Sequence, residues 1–299
     1  MSEYAGAPEG VFDAHVHVQP WHLLRPEVRA RMWHGRPEPE AILALATSPA
    51  RLLEFLDAEG IGRAVLINYV SPDVMGFTKE TNDWIANYVR GSESRLLAVG
   101  SVHPRFEHDP AGEVERLRDQ GIRALKVHPP HQLVRPNEYV HGLAAQAVVY
   151  ERAQALGLPV IFHTGTSVFP GARNRFADPM GVDDVACDFP ALRILLAHGG
   201  RPLFATTCFF LVRRHPNVHL DVSGIPPKTL LEAFPRLAAI GDKVLWGTDW
   251  PGPGVPSPRR NLEDFWALPL QEDLKRRILL ENGPRFFDGT PAPRPREVA

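Results

Sequence analysis

Short apolar runs recur along the chain, and each is followed by a stretch with helical periodicity. Eight such runs stand out: 11–18 (Val-Phe-Asp-Ala-His-Val-His-Val), 63–69, 96–103, 122–128, 159–164, 193–198, 218–223 and 244–249. Their richness in Val, Ile and Leu is that of strands buried on both faces. Helix signals fall between them, at 50–59, 79–89, 111–119, 143–156, 202–214 and 228–240. Ser48 is placed to cap the first of these and Pro49 to begin it, and Gly121, Gly157 and Gly241 stop later ones. Apolar strands separated by helices imply parallel pairing through helical crossovers. Eight units in 299 residues predict an α/β fold, a (β/α)8 TIM barrel, an architecture of about 250 residues. A doubly wound open sheet is the competing architecture, but no Gly-x-Gly-x-x-Gly turn follows any run. The chain reads as one domain over 1–288 with a disordered Pro- and Arg-containing tail over 289–299. Residues 19–47 form an insertion after the first strand and are expected to cover the mouth.

The first run carries the densest chemistry. On a two-residue period Val11, Asp13, His15 and His17 share one face, and Phe12, Ala14, Val16 and Val18 share the other. Imidazoles two residues apart on a strand stand roughly 7 Å from each other, so both can lean onto one ion. In a (β/α)8 barrel the functional groups gather at the C-terminal ends of the strands. That rule selects His15, His17, His103, Lys126, His128, His163, His198 and Asp249. So many ionisable groups exceed what a packed core needs, because each is costly to bury unpaired.

Composition narrows the possible roles. The formal net charge is −2, with 33 Lys+Arg and 35 Asp+Glu interspersed, which gives no pull toward nucleic acid or an anionic membrane. No apolar stretch is long enough to span a bilayer, and the N-terminus lacks a secretory signal, so a cytoplasmic protein is expected. The two cysteines, Cys187 and Cys208, lie in apolar helix-like segments and are expected to be reduced and buried.

Four motifs, Asp13-Ala-His15-Val-His17, Ile161-Phe-His163-Thr-Gly165, Leu196-Ala-His198-Gly-Gly200 and Gly247-Thr-Asp249-Trp-Pro251, give a specific resemblance. Together they are similar to the amidohydrolase superfamily, in the branch of aminocarboxymuconate semialdehyde decarboxylase, γ-resorcylate decarboxylase and related lactone and C–C-bond hydrolases. Lys126-Val-His128-Pro, Asp221-Val-Ser-Gly224 and Asn282-Gly-Pro-Arg-Phe-Phe287 add to it, and the similarity runs from residue 11 to about 287. The resemblance implies one divalent metal, most often Zn²⁺, held by His15, His17, His163 and Asp249. It also implies Asp249 and His198 as the groups that move protons. In binuclear members of the superfamily a strand-four lysine becomes carboxylated and bridges two metals; Lys126 is expected instead to close the site or meet a substrate anion. Asp13 either orients a ligand imidazole or hydrogen-bonds the barrel interior.

For the substrate, Arg173 and Arg175 lie in the loop after the fifth strand, and the insertion contributes Trp21. With Lys126 and His128 they suggest a small carboxylate-bearing ring or ring-fission compound. The favoured reading is a metal-dependent hydrolase acting on a lactone, amide or C–C bond. A decarboxylase with the same ligand set is the alternative, and a non-catalytic ligand-binding barrel is a third. A homodimer is compatible with the resemblance; nucleic-acid and membrane partners are not expected.

Overall fold

The structure is a computed structural model that describes residues 6–36 and 39–289. The expected tail, apart from Gly289, lies outside the described residues. The strands are β1 (Val11–Val16), β2 (Ile61–Leu66), β3 (Leu96–Gly100), β4 (Ala124–Val127), β5 (Val160–His163), β6 (Ile194–Ala197), β7 (Val218–Asp221) and β8 (Val244–Leu245). They pair in sequence order, every pair parallel. The seam between β8 and β1 is closed mostly beyond the end of β8. There Ala14 N–H donates to Trp246 O at 3.0 Å, Asp249 N–H to His15 O at 2.8 Å, and His17 N–H to Trp250 O at 2.7 Å. Each apolar run is thus a strand as expected, but its last residues leave the ladder and form the mouth.

Alternate strand residues enter two separate apolar clusters. Leu66, Leu96, Ala98, Val160 and Phe162 pack outward with the helices, whereas Val65, Leu97, Val99, Ile161 and Leu195 fill the barrel. The same inward phase carries Lys126 on β4, His163 on β5 and Asp221 on β7 into the interior. Helix Asn282–Asp288 plugs the bottom: Phe286 and Phe287 join the inner cluster, and the Phe12 and Phe287 rings lie 5.7 Å apart.

The strict alternation expected for β1 does not hold. Phe12 and Ala14 point into the barrel, but Val16 and Val18 pack outward. Asp13 pairs with Ala64 and Val16 with Leu66, three residues against two, so β1 carries a bulge between them. The extra residue shifts the phase, as bulges beside functional sites do, and brings His15 and His17 in over Phe12 and Ala14.

Pro49 begins helix Pro49–Ala58 as expected, although the Ser48 side chain makes no capping bond. The helix expected over 228–240 is split into Pro227–Ala233 and a 3-10 stretch, Leu237–Lys243. The insertion contains helices Pro26–Trp33 and Pro39–Leu45, and it roofs the mouth by placing Trp21, Leu24, Val28 and Met32 in the inner cluster. Both cysteines are free, but only Cys208 is buried. Cys187 is exposed because its helix, Val182–Asp188, turns Val182, Val185 and Ala186 inward instead. Among the described residues no helix is long and apolar enough to cross a membrane.

Candidate active site

Asp249, just past β8, is the hub of the mouth. Its Oδ1 lies 3.1 Å from His17 Nε2 and 3.7 Å from His15 Nε2; its Oδ2 lies 2.9 Å from Arg201 Nη2 and 4.0 Å from His198 Nδ1. Asp249 (φ 65°) and His198 (φ 69°) both hold left-handed backbone conformations. Such conformations cost about 1–3 kcal/mol in a residue with a side chain, and they cluster at functional sites. Close approach is provided by two glycines. A Cβ on Gly247 would fall 2.9 Å from His15 Cβ and Asp221 Oδ1, and one on Gly224 would fall 2.7 Å from Arg201 Nη2 and Asp249 Oδ2.

The rear nitrogens of three imidazoles are all engaged. His15 Nδ1–H donates to Asp221 Oδ2 at 2.6 Å, His17 Nδ1–H to the Ile67 carbonyl at 3.2 Å, and His198 Nδ1–H to the Ser223 carbonyl at 3.2 Å. For His15 and His198 this places the hydrogen on Nδ1 and leaves the Nε2 lone pair free, whereas His17 Nε2 is engaged with Asp249 Oδ1. Asp221 is held in turn by Ser223 N–H and Oγ–H, each at 2.8 Å. Asp13 accepts from the backbone N–H groups of His15 and Thr248, both at 3.0 Å, and from Thr248 Oγ1 at 2.7 Å. It therefore ties the ends of β1 and β8 together and bonds no ligand imidazole. Asp221, which the sequence reading did not single out for this role, orients His15.

Burial keeps His15, His128, His163 and His198 neutral, with pKa values well below the usual imidazole range. Burial alone would raise the Asp249 pKa, but the His17 hydrogen bond and the Arg201 charge hold the carboxyl well below its usual range. Neutral imidazoles and an ionised carboxylate are the states a divalent ion requires. His15, His198 and Asp249 offer donor atoms all within 4.8 Å of one another. Nε2 of His15 and Nε2 of His163 are buried without a hydrogen-bond partner, and a bound cation would satisfy both. The residues present fit a metal ion.

The opposite side of the mouth is built by stacking. The His163 ring lies 3.8 Å from that of His128, and His128 lies 3.5 Å from His131, with interplanar angles of 15° and 10°. Lys126 is only 1% exposed, and its Nζ has no partner. Burial pushes its ammonium pKa down and the Asp221 carboxyl pKa up.

These groups line a cavity of about 660 Å³ that includes His17, Trp21, Lys126, His128, His163, His198, Arg201 and Asp249. Arg173 and Arg175 do not line it. Both are exposed, and Arg175 lies over the Phe176 ring at 4.8 Å, because the loop turns outward after Phe169. The guanidinium inside the cavity belongs instead to Arg201, three residues after His198, and its Nη1 is buried without a partner. His103 also lies elsewhere, in a small separate pocket with Phe106. Tyr69, which ends the run 63–69, and His131 also line the main cavity, though the sequence singled out neither. A second His/Cys/Asp group, Asp183, Cys187 and His215, is already committed. Asp183 Oδ1 pairs with His215 Nε2 at 2.7 Å and with Arg214 Nε at 3.0 Å.

The sequence pattern described as amidohydrolase matches residues 12–289. The 4-sulfomuconolactone hydrolase of Rhizobium radiobacter is 24% identical over 303 residues, covering 94% of this chain and 90% of that one. An uncharacterized TIM-barrel protein from Bordetella bronchiseptica superposes with a TM-score of 0.73 at 21% identity, covering 93% of this chain and 98% of its own. For 5-carboxyvanillate decarboxylase from Sphingomonas paucimobilis the TM-score is 0.67 at 19% identity, with 93% and 99% covered. At such identities the superpositions speak for the fold. The family pattern itself spans β1 to the plugging helix and takes in every residue around Asp249, and this chain is an enzyme of the amidohydrolase family.

Proposed function

We propose that this enzyme is a metal-dependent hydrolase that opens a small carboxylate-bearing lactone or a similar activated acyl compound. The observation that carries this reading is the convergence on Asp249: three imidazoles, those of His15 and His198 held by bonds to Nδ1, meet an ionised carboxylate in a largely apolar cavity, with one unpaired guanidinium nitrogen beside them. The lactone hydrolase that this chain resembles over most of its length supports the same reaction class.

His15, His17, His163 and Asp249 would hold the ion, and imidazole with carboxylate suits Zn²⁺. When bound, a divalent ion supplies Lewis acidity, polarising a carbonyl and easing the deprotonation of water near neutral pH. Asp249 is the carboxylate placed to take that proton, and His198 Nε2, free because Nδ1 is engaged, is the neighbouring acceptor. Arg201 replaces Arg173 and Arg175 as the proposed anchor for a substrate carboxylate, through Nη1. Trp21, Leu24, Met32 and Phe169 exclude water and accept the ring. Lys126 and His128 face the substrate from the other side.

The test is a panel of carboxylate-bearing lactones, amides and aromatic acids, offered to enzyme whose metal content has been measured. Hydrolysis predicts a new acid without gas, and Arg201→Ala raising KM at least tenfold. Stoichiometric CO₂ with no new acid would replace hydrolysis by decarboxylation.

A further inference from the structure

We propose that Tyr69, His131 and Ser167 form a hydrogen-bonded chain that delivers a proton to the oxygen leaving the substrate. The proposal rests on the hydrolase reading above and assigns to the same cavity a function the metal cluster does not supply. The three residues come from three different loops, after β2, β4 and β5. Tyr69 Oη lies 2.9 Å from His131 Nδ1, and His131 Nε2 lies 2.7 Å from Ser167 Oγ. All three line the cavity; Tyr69 and His131 are 3% and 2% exposed, and Ser167 is half-buried toward the mouth. The His128 ring lies between His131 and His163, keeping the chain apart from the proposed metal ligands.

In the proposed chain these hydrogen bonds run in one direction. Ser167 Oγ, which accepts from Phe169 N–H at 3.2 Å, sends its own hydrogen to His131 Nε2. The imidazole hydrogen then sits on Nδ1 and is donated to Tyr69 Oη. The Tyr69 hydroxyl makes no other hydrogen bond among the described residues, and its hydrogen is left for the cavity. The Ser71 hydroxyl, donating to the His131 carbonyl at 2.9 Å, and the left-handed turn at Leu133 (φ 57°) hold the segment in place. Burial keeps the phenol protonated, its pKa well above the usual range, and pushes His131 down to about 3, so the resting chain is neutral throughout.

Ring opening leaves an alkoxide or enolate oxygen that must be protonated. The Tyr69 O–H bond breaks as the new O–H bond forms on that oxygen. The Nδ1 hydrogen of His131 passes to Tyr69 Oη, the Ser167 hydrogen passes to Nε2, and hydronium at the mouth reprotonates Ser167. His131 then carries its hydrogen on Nε2. The product carboxylic acid restores the resting tautomer. It protonates Tyr69 Oη as the phenol hydrogen passes to His131 Nδ1; the Nε2 hydrogen passes to Ser167 Oγ, and the former Ser167 hydrogen leaves to water at the mouth. Tyr69 is thus a catalytic residue, and His131 and Ser167 are positioning residues.

The test combines two readouts on metal-replete protein. With ¹⁵N-histidine labelling, His131 is expected as the Nδ1–H tautomer in the wild type and as Nε2–H in Ser167→Ala. With carboxylate-bearing lactones and esters whose leaving oxygen ranges from alkoxide to nitrophenolate, Tyr69→Phe is expected to lower kcat about 100-fold for alkoxide, the low end for general acid catalysis. For nitrophenolate, which needs no proton, the expected loss is less than about threefold. An Nε2–H tautomer in the wild type, no switch in Ser167→Ala, or an equal loss across leaving groups overturns the chain while the hydrolase reading stands. A wild-type enzyme inert on every lactone and ester overturns the reading itself.

Discussion

On the side of the mouth built by β6, β8 and β1, every imidazole gives its Nδ1 to a partner: His15 to Asp221, His17 to Ile67 O, and His198 to Ser223 O. On the β4–β5 side, His128 Nδ1, His163 Nε2 and Lys126 Nζ are buried without partners, and ring stacking holds the histidines. The first arrangement fixes ligand geometry before anything binds. The second leaves three polar atoms, against His15 Nε2 and Arg201 Nη1 on the first, that cost about 1–3 kcal/mol each while unsatisfied. The first side is therefore a template for the ion, and the second gains most when the site fills.

Asp249→Asn attacks the template most severely. The bound metal should be lost on elemental analysis and kcat/KM should fall on the order of 10³ or more, about 4 kcal/mol of barrier. Retention of full metal occupancy would break the contrast. Asp221→Asn removes only the support behind His15 and should weaken metal affinity about 10–100-fold in a competition titration. His128→Phe, which preserves a stacked ring on the other side, should weaken it less than about tenfold by the same measure. Metal removal should lower the melting temperature, since a ligand at a hundredfold excess over its Kd stabilises by about 2.7 kcal/mol. Hydrogen exchange should then rise more around β4 and β5 than around β1.

Part of the acid sensitivity should arise away from the cavity. Burial lowers His103 and His219 to about 4, against about 6.5 in the unfolded chain. Between those values the unfolded state takes up protons that the folded state refuses, so stability falls as pH drops from about 6.5 toward 4. His219→Gln should flatten part of that slope in denaturant titrations at several pH values. The smallest effect belongs to Arg175→Ala: with the side chain over Phe176 outside the cavity, KM should stay within about twofold, as for a surface substitution.

The barrel was legible because parallel strands buried on both faces write themselves as apolar runs, and the residues at the ends of those runs are confined to the mouth. That geometry made His15, His17, His163, His198 and Asp249 conspicuous; His15, His17 and His198 lie beside the Asp249 carboxylate, and His163 stacks on His128 with its ring 4.7 Å from that of His198. The period of β1 was misread because a bulge leaves no mark in an unbroken alternation of residue types. Arg173 and Arg175 were chosen for their nearness to β5 in sequence, but a loop can turn its side chains either way. Arg201 and His131 enter the cavity from segments beyond a strand end, where no periodicity aims them, and Tyr69, though it ends the run 63–69, is a phenol outside the His, Lys and Asp residues that the strand ends singled out. Asp221 was visible within its motif, yet its bond to His15 joins groups 206 positions apart, which no local pattern encodes.

The seam between the first and last strands has a kinetic consequence. His17 and Asp249 stand 232 positions apart in the chain and meet only where Trp246, Asp249 and Trp250 stitch the final edge to β1. A chain whose last edge is open has its histidines but no carboxylate beside them. The donor set proposed for the ion would therefore be complete, and uptake would begin, only once the chain has come full circle.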